Sequence, residues 1–435
     1  MTTLLLVGMA AAAIWPLARW AWKRHRALLL PGKTSYGHRL IEDACFSCHL
    51  PWSGAQQQSC LGCHGRALEA MNDTHRAARF DDPVNAAELQ RLNVLLCVTC
   101  HREHRPEITD SSSTTVPKDF CVVCHQDVAT DRPSHRTFDA AGCASTGCHH
   151  YHDNRALYTD LLRRRKDEPD LRPSPRAVPS RDRVASGRAA LTALDADGPA
   201  TTTDVTRDWA RSAHASAGVN CTGCHQATTS AGKADGWTRD PGDATCRRCH
   251  EVEAAAFSSG RHGMRVAVGL PPLTPALATL PMRPGAAHRA VTCGTCHTPH
   301  ALDVSSAAVE ACESCHADDH TRAYRGSPHF ALWQLERQGI GSRGSGVSCA
   351  TCHLPRVFNE DGGTRSLHAD HDQSRNLRPS EEMALEVCDS CHGLPFSLAA
   401  LADPLLIRSN FTGRPAAHLA GIDLVRGASR GDQRR

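Results

Sequence analysis

Eleven times along this 435-residue chain, a pair of cysteines is followed at once by a histidine. The sets are Cys45/Cys48-His49, Cys60/Cys63-His64, Cys97/Cys100-His101 and Cys121/Cys124-His125, then Cys143/Cys148-His149 with a wider gap. After a long interval come Cys221/Cys224-His225, Cys246/Cys249-His250, Cys293/Cys296-His297, Cys312/Cys315-His316, Cys349/Cys352-His353 and Cys388/Cys391-His392. All 22 cysteines are used and none is left over. With 27 histidines in the whole chain, the same residue after every pair is not coincidence.

A zinc ribbon or a redox motif needs C-x-x-C but leaves the following residue open. C-x-x-C-H is the attachment signature of c-type haem: two thiols form thioethers to the vinyl groups, and the adjacent imidazole is the proximal iron ligand. The expectation is therefore 11 haem c groups. The fifth site, "CASTGCHHYH", has two extra spacer residues and reads as a working variant beside ten regular neighbours. Aromatic residues make up only 5% of the chain, so the polypeptide lacks the side chains that usually carry a core's apolar area. Flat macrocycles would supply that mass. The fold class expected is mostly coil with short α-helices wrapped around covalently bound haems, with little or no β structure.

The formal charge of +3 changes sign once haem is counted. With all propionates ionised it becomes about −8 for ferric and about −19 for ferrous protein. The basic polypeptide is thus no argument for a nucleic-acid partner.

Sixteen histidines lie outside the motifs, more than enough for a second ligand at every iron. Three follow a motif at fixed spacing: His104 in "CHREH", His152 in "CHHYH" and His300 in "CHTPH". A histidine three residues beyond the proximal one points away from its own haem and is free to ligate a neighbour. His38, His214, His288 and His329 precede motifs, and His75, His135, His262 and His371 fill the remaining intervals. These eleven are the candidate distal ligands. His150, His320 and His368 are close alternatives, and His25 and His418 the least suited.

The stretch "TLLLVGMAAAAIWPLARWAW" (3–22) is apolar and is followed by Lys23, Arg24 and Arg26. It reads as an N-terminal transmembrane anchor, with a cleaved export signal as the alternative. The flanking charges alone would put the chain in the cytoplasm. Covalent haem attachment takes place outside the bacterial inner membrane, and eleven sites outweigh four charges. The expected location is the periplasmic side of that membrane. The expected organisation is an anchor or signal at 1–30, a pentahaem module at 31–158, and a Pro- and Arg-rich linker at 159–207. A hexahaem module at 208–400 and a partly disordered tail at 401–435 follow.

Residues 38–152, with closely spaced C-x-x-C-H sites, CHxxH extensions and a lone C-x-x-x-x-C-H, resemble class III, low-potential multihaem cytochromes c. That resemblance implies bis-histidine ligation. In the second half, "WARSAHASAGVNCTGCH", "FSSGRHG" and "SPHFALWQLERQGIGSRGSGVSCATCH" are similar to segments of cytochromes related to hydroxylamine oxidoreductase and pentahaem nitrite reductase. In that family His214, His262 and His329 would match distal positions. The catalytic marks of those enzymes are missing: no C-x-x-C-K occurs, and none of the four tyrosines follows the last motif. The chain reads as an electron carrier rather than a substrate-converting enzyme. It would connect a membrane quinol-oxidising complex or another cytochrome to a periplasmic or outer-membrane acceptor. The alternative is an oxidoreductase acting on a small nitrogen or sulfur compound at one haem of the second module.

Overall fold

The computed structural model describes residues 32–50, 53–70, 86, 92–109, 115–132, 135–136, 152, 159–176, 189–199, 203–228, 234–301, 304–361, 364–377, 380–417, 419, 421–423 and 425–427. These residues divide into two compact units, one ending at 152 and one beginning at 159. The apolar stretch at 3–22 lies outside them. Among the described residues no helix is long and apolar enough to cross a membrane.

Both units consist mainly of short helices and coil, with few strands. Among the described residues of the first unit the longest helix, Gln57–Ala70, carries the second motif inside it. In the second unit, helices such as Glu251–Ser259, Pro328–Arg337 and Leu394–Ala402 alternate with single helical turns. Side-chain caps start several of them. Ser327 accepts from Phe330 N ahead of Pro328–Arg337, and Asp318 accepts from Thr321 N ahead of Asp319–Ala323.

Strand structure is limited, among the described residues, to three two-stranded antiparallel hairpins. The longest pairs Arg356–Asp361 with Thr364–Ala369, and Asp361 opposite Thr364 closes it with a two-residue loop. Its sequence, "DGGT", is a hairpin signal that the near-absence of alternation elsewhere obscures.

The polypeptide's own core is small. In the second unit Leu162, Ala384, Leu394, Leu398, Ile422 and Val425 form one buried cluster. Three of its contributors lie in segments expected to be loose. Leu162 belongs to helix Thr159–Arg165, at the start of the expected linker, and Ile422 and Val425 belong to the expected tail. The tail residues 401–417 are ordered as well, with Asp403 capping Pro404–Arg408 through Leu405 N and Leu406 N. Residues 428–435 lie outside the described set.

The expected linker is instead a brace for the last motif. Arg172 N donates to Cys391 O at 2.8 Å, and Arg176 N to Ser390 O at 2.8 Å. Arg165 and Arg172 both reach the carboxylate of Asp389, inside that motif, while Glu168 takes Arg165 at 2.8 Å. Gly393 N donates to Pro169 O at 3.1 Å, and a Cβ on Gly393 would lie 2.5 Å from that oxygen, so only glycine allows the approach. Charge pairing, which has no apolar period, holds this segment.

Asp389 is 16% exposed and serves two arginines that are 18% and 20% exposed. Asp389→Asn leaves both cations short of their anion. The expected loss is about 2 kcal/mol, between the exposed and the fully buried cases. Denaturant unfolding of the second unit, followed by circular dichroism, checks it.

Candidate functional site

Each described motif is closed by roughly one helical turn. The histidine N–H returns to the first cysteine's carbonyl in His101→Cys97 (2.9 Å), His125→Cys121 (3.0 Å), His250→Cys246 (3.0 Å), His297→Cys293 (3.0 Å), His316→Cys312 (2.9 Å) and His392→Cys388 (2.8 Å). A three- or four-residue offset on one turn keeps both thiols on the same side of the backbone. None of the twenty described cysteines is in a disulfide. Nor do the described residues gather three or more His, Cys, Asp or Glu side chains into a metal-binding cluster.

At five sites the second cysteine of the motif lies beyond the helical segment. Cys48, Cys124, Cys249, Cys315 and Cys391 each lie just past the end of their helical segment. The physical reason is a tighter i→i+3 bond at the helix end. Cys124 N donates to Cys121 O at 3.3 Å, Cys249 N to Cys246 O at 3.2 Å and Cys315 N to Cys312 O at 3.1 Å, as Cys48 and Cys391 do to Cys45 and Cys388. All five are free thiols, with Cys48, Cys124 and Cys249 exposed and Cys315 and Cys391 half-buried. Cys315 Sγ has Ser314 Oγ beside it at 3.7 Å. The turn keeps each of these cysteines within one turn of the first cysteine of its motif.

The histidines, by contrast, are paired. Nine motif histidines each face one further histidine, with ring centres 5.9 to 6.4 Å apart. In the first unit the pairs are His49 with His104, His64 with His38 and His101 with His152. In the second they are His225 with His300, His250 with His214, His297 with His371, His316 with His262, His353 with His320 and His392 with His329. Two opposed imidazoles bonded to one metal at about 2 Å each have ring centres about 6 Å apart. The spacing is too wide for ring stacking and right for an ion between them.

Orientation points the same way. An imidazole that ligates through one nitrogen usually has its other N–H held by an oxygen. His104 Nδ1 lies 3.0 Å from Gly32 O, His225 Nδ1 2.8 Å from Thr238 O and His392 Nδ1 2.7 Å from Asp170 O. His371 Nδ1 is 2.9 Å from Ala369 O, and His101 Nδ1 is 2.6 Å from Thr115 Oγ1. His38 Nδ1 is 2.8 Å from Glu103 Oε1. Nε2 is the nitrogen left to face the partner ring.

Burial favours the neutral ring, the form that binds metal, at several of these histidines. It holds His101, His262, His329 and His353 down at about 4, with the neighbouring histidine adding in each case. Burial raises the Glu103 carboxyl, but hydrogen bonds from His38 and Ser35 outweigh it and hold the group at about 2.

Eight expected distal candidates thus face a motif histidine: His38, His104, His152, His214, His262, His300, His329 and His371. The structure differs from expectation at His288, which makes no ring contact with any described motif histidine. His320 takes that role, opposite His353 at 6.2 Å. It sits on the capped helix Asp319–Ala323, with Nδ1 held by Ile407 O of the tail, whereas His288 only precedes the next motif in sequence. His135 closes the turn after Val128–Asp131, its N–H donating to Arg132 O at 2.8 Å. His75 and the fifth motif, Cys143/Cys148-His149, lie outside the described residues, as does His150.

The CHxxH histidines obey a rule that spacing alone did not give. His104, after the third motif, faces His49 of the first; His152, after the fifth, faces His101 of the third. His300, after the eighth, faces His225 of the sixth. Each reaches back two motifs.

Motifs consecutive in sequence are also neighbours in space within each unit. In the first, Gln56 N donates to Cys48 O, and the Gln57 side chain bonds Leu95 O and Cys97 N. In the second, Arg248 donates to Gly223 O at 2.9 Å, Cys293 N to Asp243 Oδ1 at 3.1 Å and Arg289 to Ser314 Oγ. The Cys312 thiol is raised by a hydrogen bond with the Cys349 thiol and then by burial, and burial pushes Cys352 up to about 11 with Cys391 adding.

No protein-family model matches the chain, and neither does a curated protein sequence or a solved structure.

Proposed function

We propose that this chain is an undecahaem c-type cytochrome that carries electrons along rows of haems. The observation that carries the reading is the set of nine opposed histidine pairs, each containing the histidine of a C-x-x-C-H motif. Each haem would supply one iron that exchanges one electron. The motif cysteines would tether it, the motif histidine would ligate one face, and the facing histidine the other. Large apolar side chains left exposed beside or within the motifs, such as Phe46 at 73%, Leu95, Leu96, Val98 and Val123, are what a covering macrocycle would protect.

Two protein ligands at each of the nine paired sites would leave no position there for a substrate, and this favours outer-sphere transfer over catalysis. The chain's own residues then have a positioning task. Carbonyls of Gly32, Thr238, Ala369 and Asp170 fix imidazole orientation, and the hydrogen bonds between consecutive motifs keep neighbouring sites close. The partners of such a carrier are redox proteins, and residues 3–22 would anchor it at the periplasmic face of the inner membrane.

Intact-mass measurement of protein made in a host that attaches haem c tests the reading. The expected increment is eleven haems, with a low-spin visible spectrum. A chain carrying zinc or disulfides instead would overturn it. Ten haems would take the fifth motif out of the set, and Cys143→Ser with Cys148→Ser would then leave the mass increment unchanged.

A further inference from the structure

In the His64–His38 pair the outer nitrogen of one ring is hydrogen-bonded to a carboxylate. His38 Nδ1 lies 2.8 Å from Glu103 Oε1. The other close Nδ1 partners in the pairs are backbone carbonyls or, for His101, a hydroxyl. The next carboxylates, Glu253 near His250 and Asp318 near His316, stand at 3.9 Å. Glu103 is also fixed in place. Ser35 Oγ donates to Oε1 at 2.9 Å and Ser35 N to Oε2 at 3.0 Å, and Ser35 is 3% exposed. The carboxylate belongs to "CHREH", between His101 and His104, and so comes from the motif after the one whose histidine His38 faces.

An N–H donated to an anion is held more strongly than one donated to a neutral oxygen. The imidazole gains negative character and becomes a more basic ligand. Second-sphere hydrogen bonding of this kind is one of the protein's means of setting a haem potential. A more electron-rich ligand favours ferric over ferrous iron.

We infer that Glu103, through His38, lowers the potential of the haem of Cys60/Cys63-His64. The inference rests on the proposed haem ligation and adds to it a residue that tunes one potential. Glu103 is a positioning and charge-setting residue and touches no iron.

The test is Glu103→Gln in the full haem-loaded protein, which keeps an oxygen facing His38 and removes the charge. Spectroelectrochemical titration should show one reduction step moving upward while the others stay. The ferric electron paramagnetic resonance spectrum should change at one low-spin signal. Glu103→Asp should restore most of the shift. An unchanged set of potentials, or a step that moves downward, would overturn the inference. So would the appearance of high-spin haem, since that would make the role of Glu103 purely one of holding His38 in place. Haem mass of the unsubstituted protein separates this failure from failure of the proposed function: no haem defeats both, whereas eleven haems with unmoved potentials defeat only the inference.

Discussion

Made in a host that does not attach haem, the chain is expected to lose most of its helical circular dichroism and to be digested rapidly by protease throughout both units. Fixing a backbone costs about 1–2 kcal/mol per residue, and apolar burial must offset it. Here the fully buried large side chains among the described residues are few, led by Leu394, Val309 and Val425. The single cluster around Leu162 and Leu398 belongs to the second unit. Residues that an ordinary fold would bury stand in the open around the motifs. If haem supplies the missing core, folding and attachment are coupled in the way that metal-dependent domains couple folding to their ion. Far-ultraviolet dichroism and limited proteolysis on apo and holo chains decide the matter. A compact, protease-resistant apo-protein would mean that haem is not the core.

The second large effect is expected at His320. His320→Ala should convert one haem from low-spin to high-spin, opening one site for carbon monoxide in the reduced protein. His288→Ala should leave the spectrum low-spin throughout. The two residues differ in where the fold puts them. His320 stands 6.2 Å from His353, and its Nδ1 and backbone carbonyl are gripped by Ile407 O and Asn410 Nδ2 of the tail. Asn410 and Phe411 hold positive φ angles of 51° and 58°, a conformation that few non-glycine residues adopt without support from their surroundings. Phe411 lies 6.0 Å from both His320 and His329, so the tail steadies the distal side of the last two sites. Counting carbon monoxide equivalents against haem content measures the outcome. High-spin haem in the His288 variant and not in the His320 variant would reverse the assignment.

The C-x-x-C-H motifs are legible because they are contiguous: about one turn of chain carries all three residues. What contiguity hid is where that turn tightens, so that Cys124, Cys249 and Cys315 fall beyond their helices rather than inside them. Most of the facing histidines were legible too, since each interval between motifs offers few candidates. His320 was passed over because nearness to the next motif is a sequence property, whereas facing an imidazole depends on the tail folding back onto it. The same reason hid the role of residues 159–176. Arg165, Glu168 and Arg172 look like linker composition until Asp389, more than 200 residues later, is beside them. The hairpin at 356–369 was readable in "DGGT" and was obscured by polar residues along both strands. Glu103 gave no signal in sequence, because a glutamate between two histidines becomes informative only once His38 is known to touch it.

The two-motif reach of the CHxxH histidines has a consequence for how such a protein is made. A chain delivered to the attachment machinery from its N-terminus presents His49 long before His104, and His225 long before His300. The sixth and first sites would therefore acquire their cofactor early and wait, half-ligated, for a residue that arrives with a later motif. His38 and His64 need no such wait, since the facing histidine comes first. Maturation would then proceed as a series of delayed closures, each one locking an earlier site when a later one is complete.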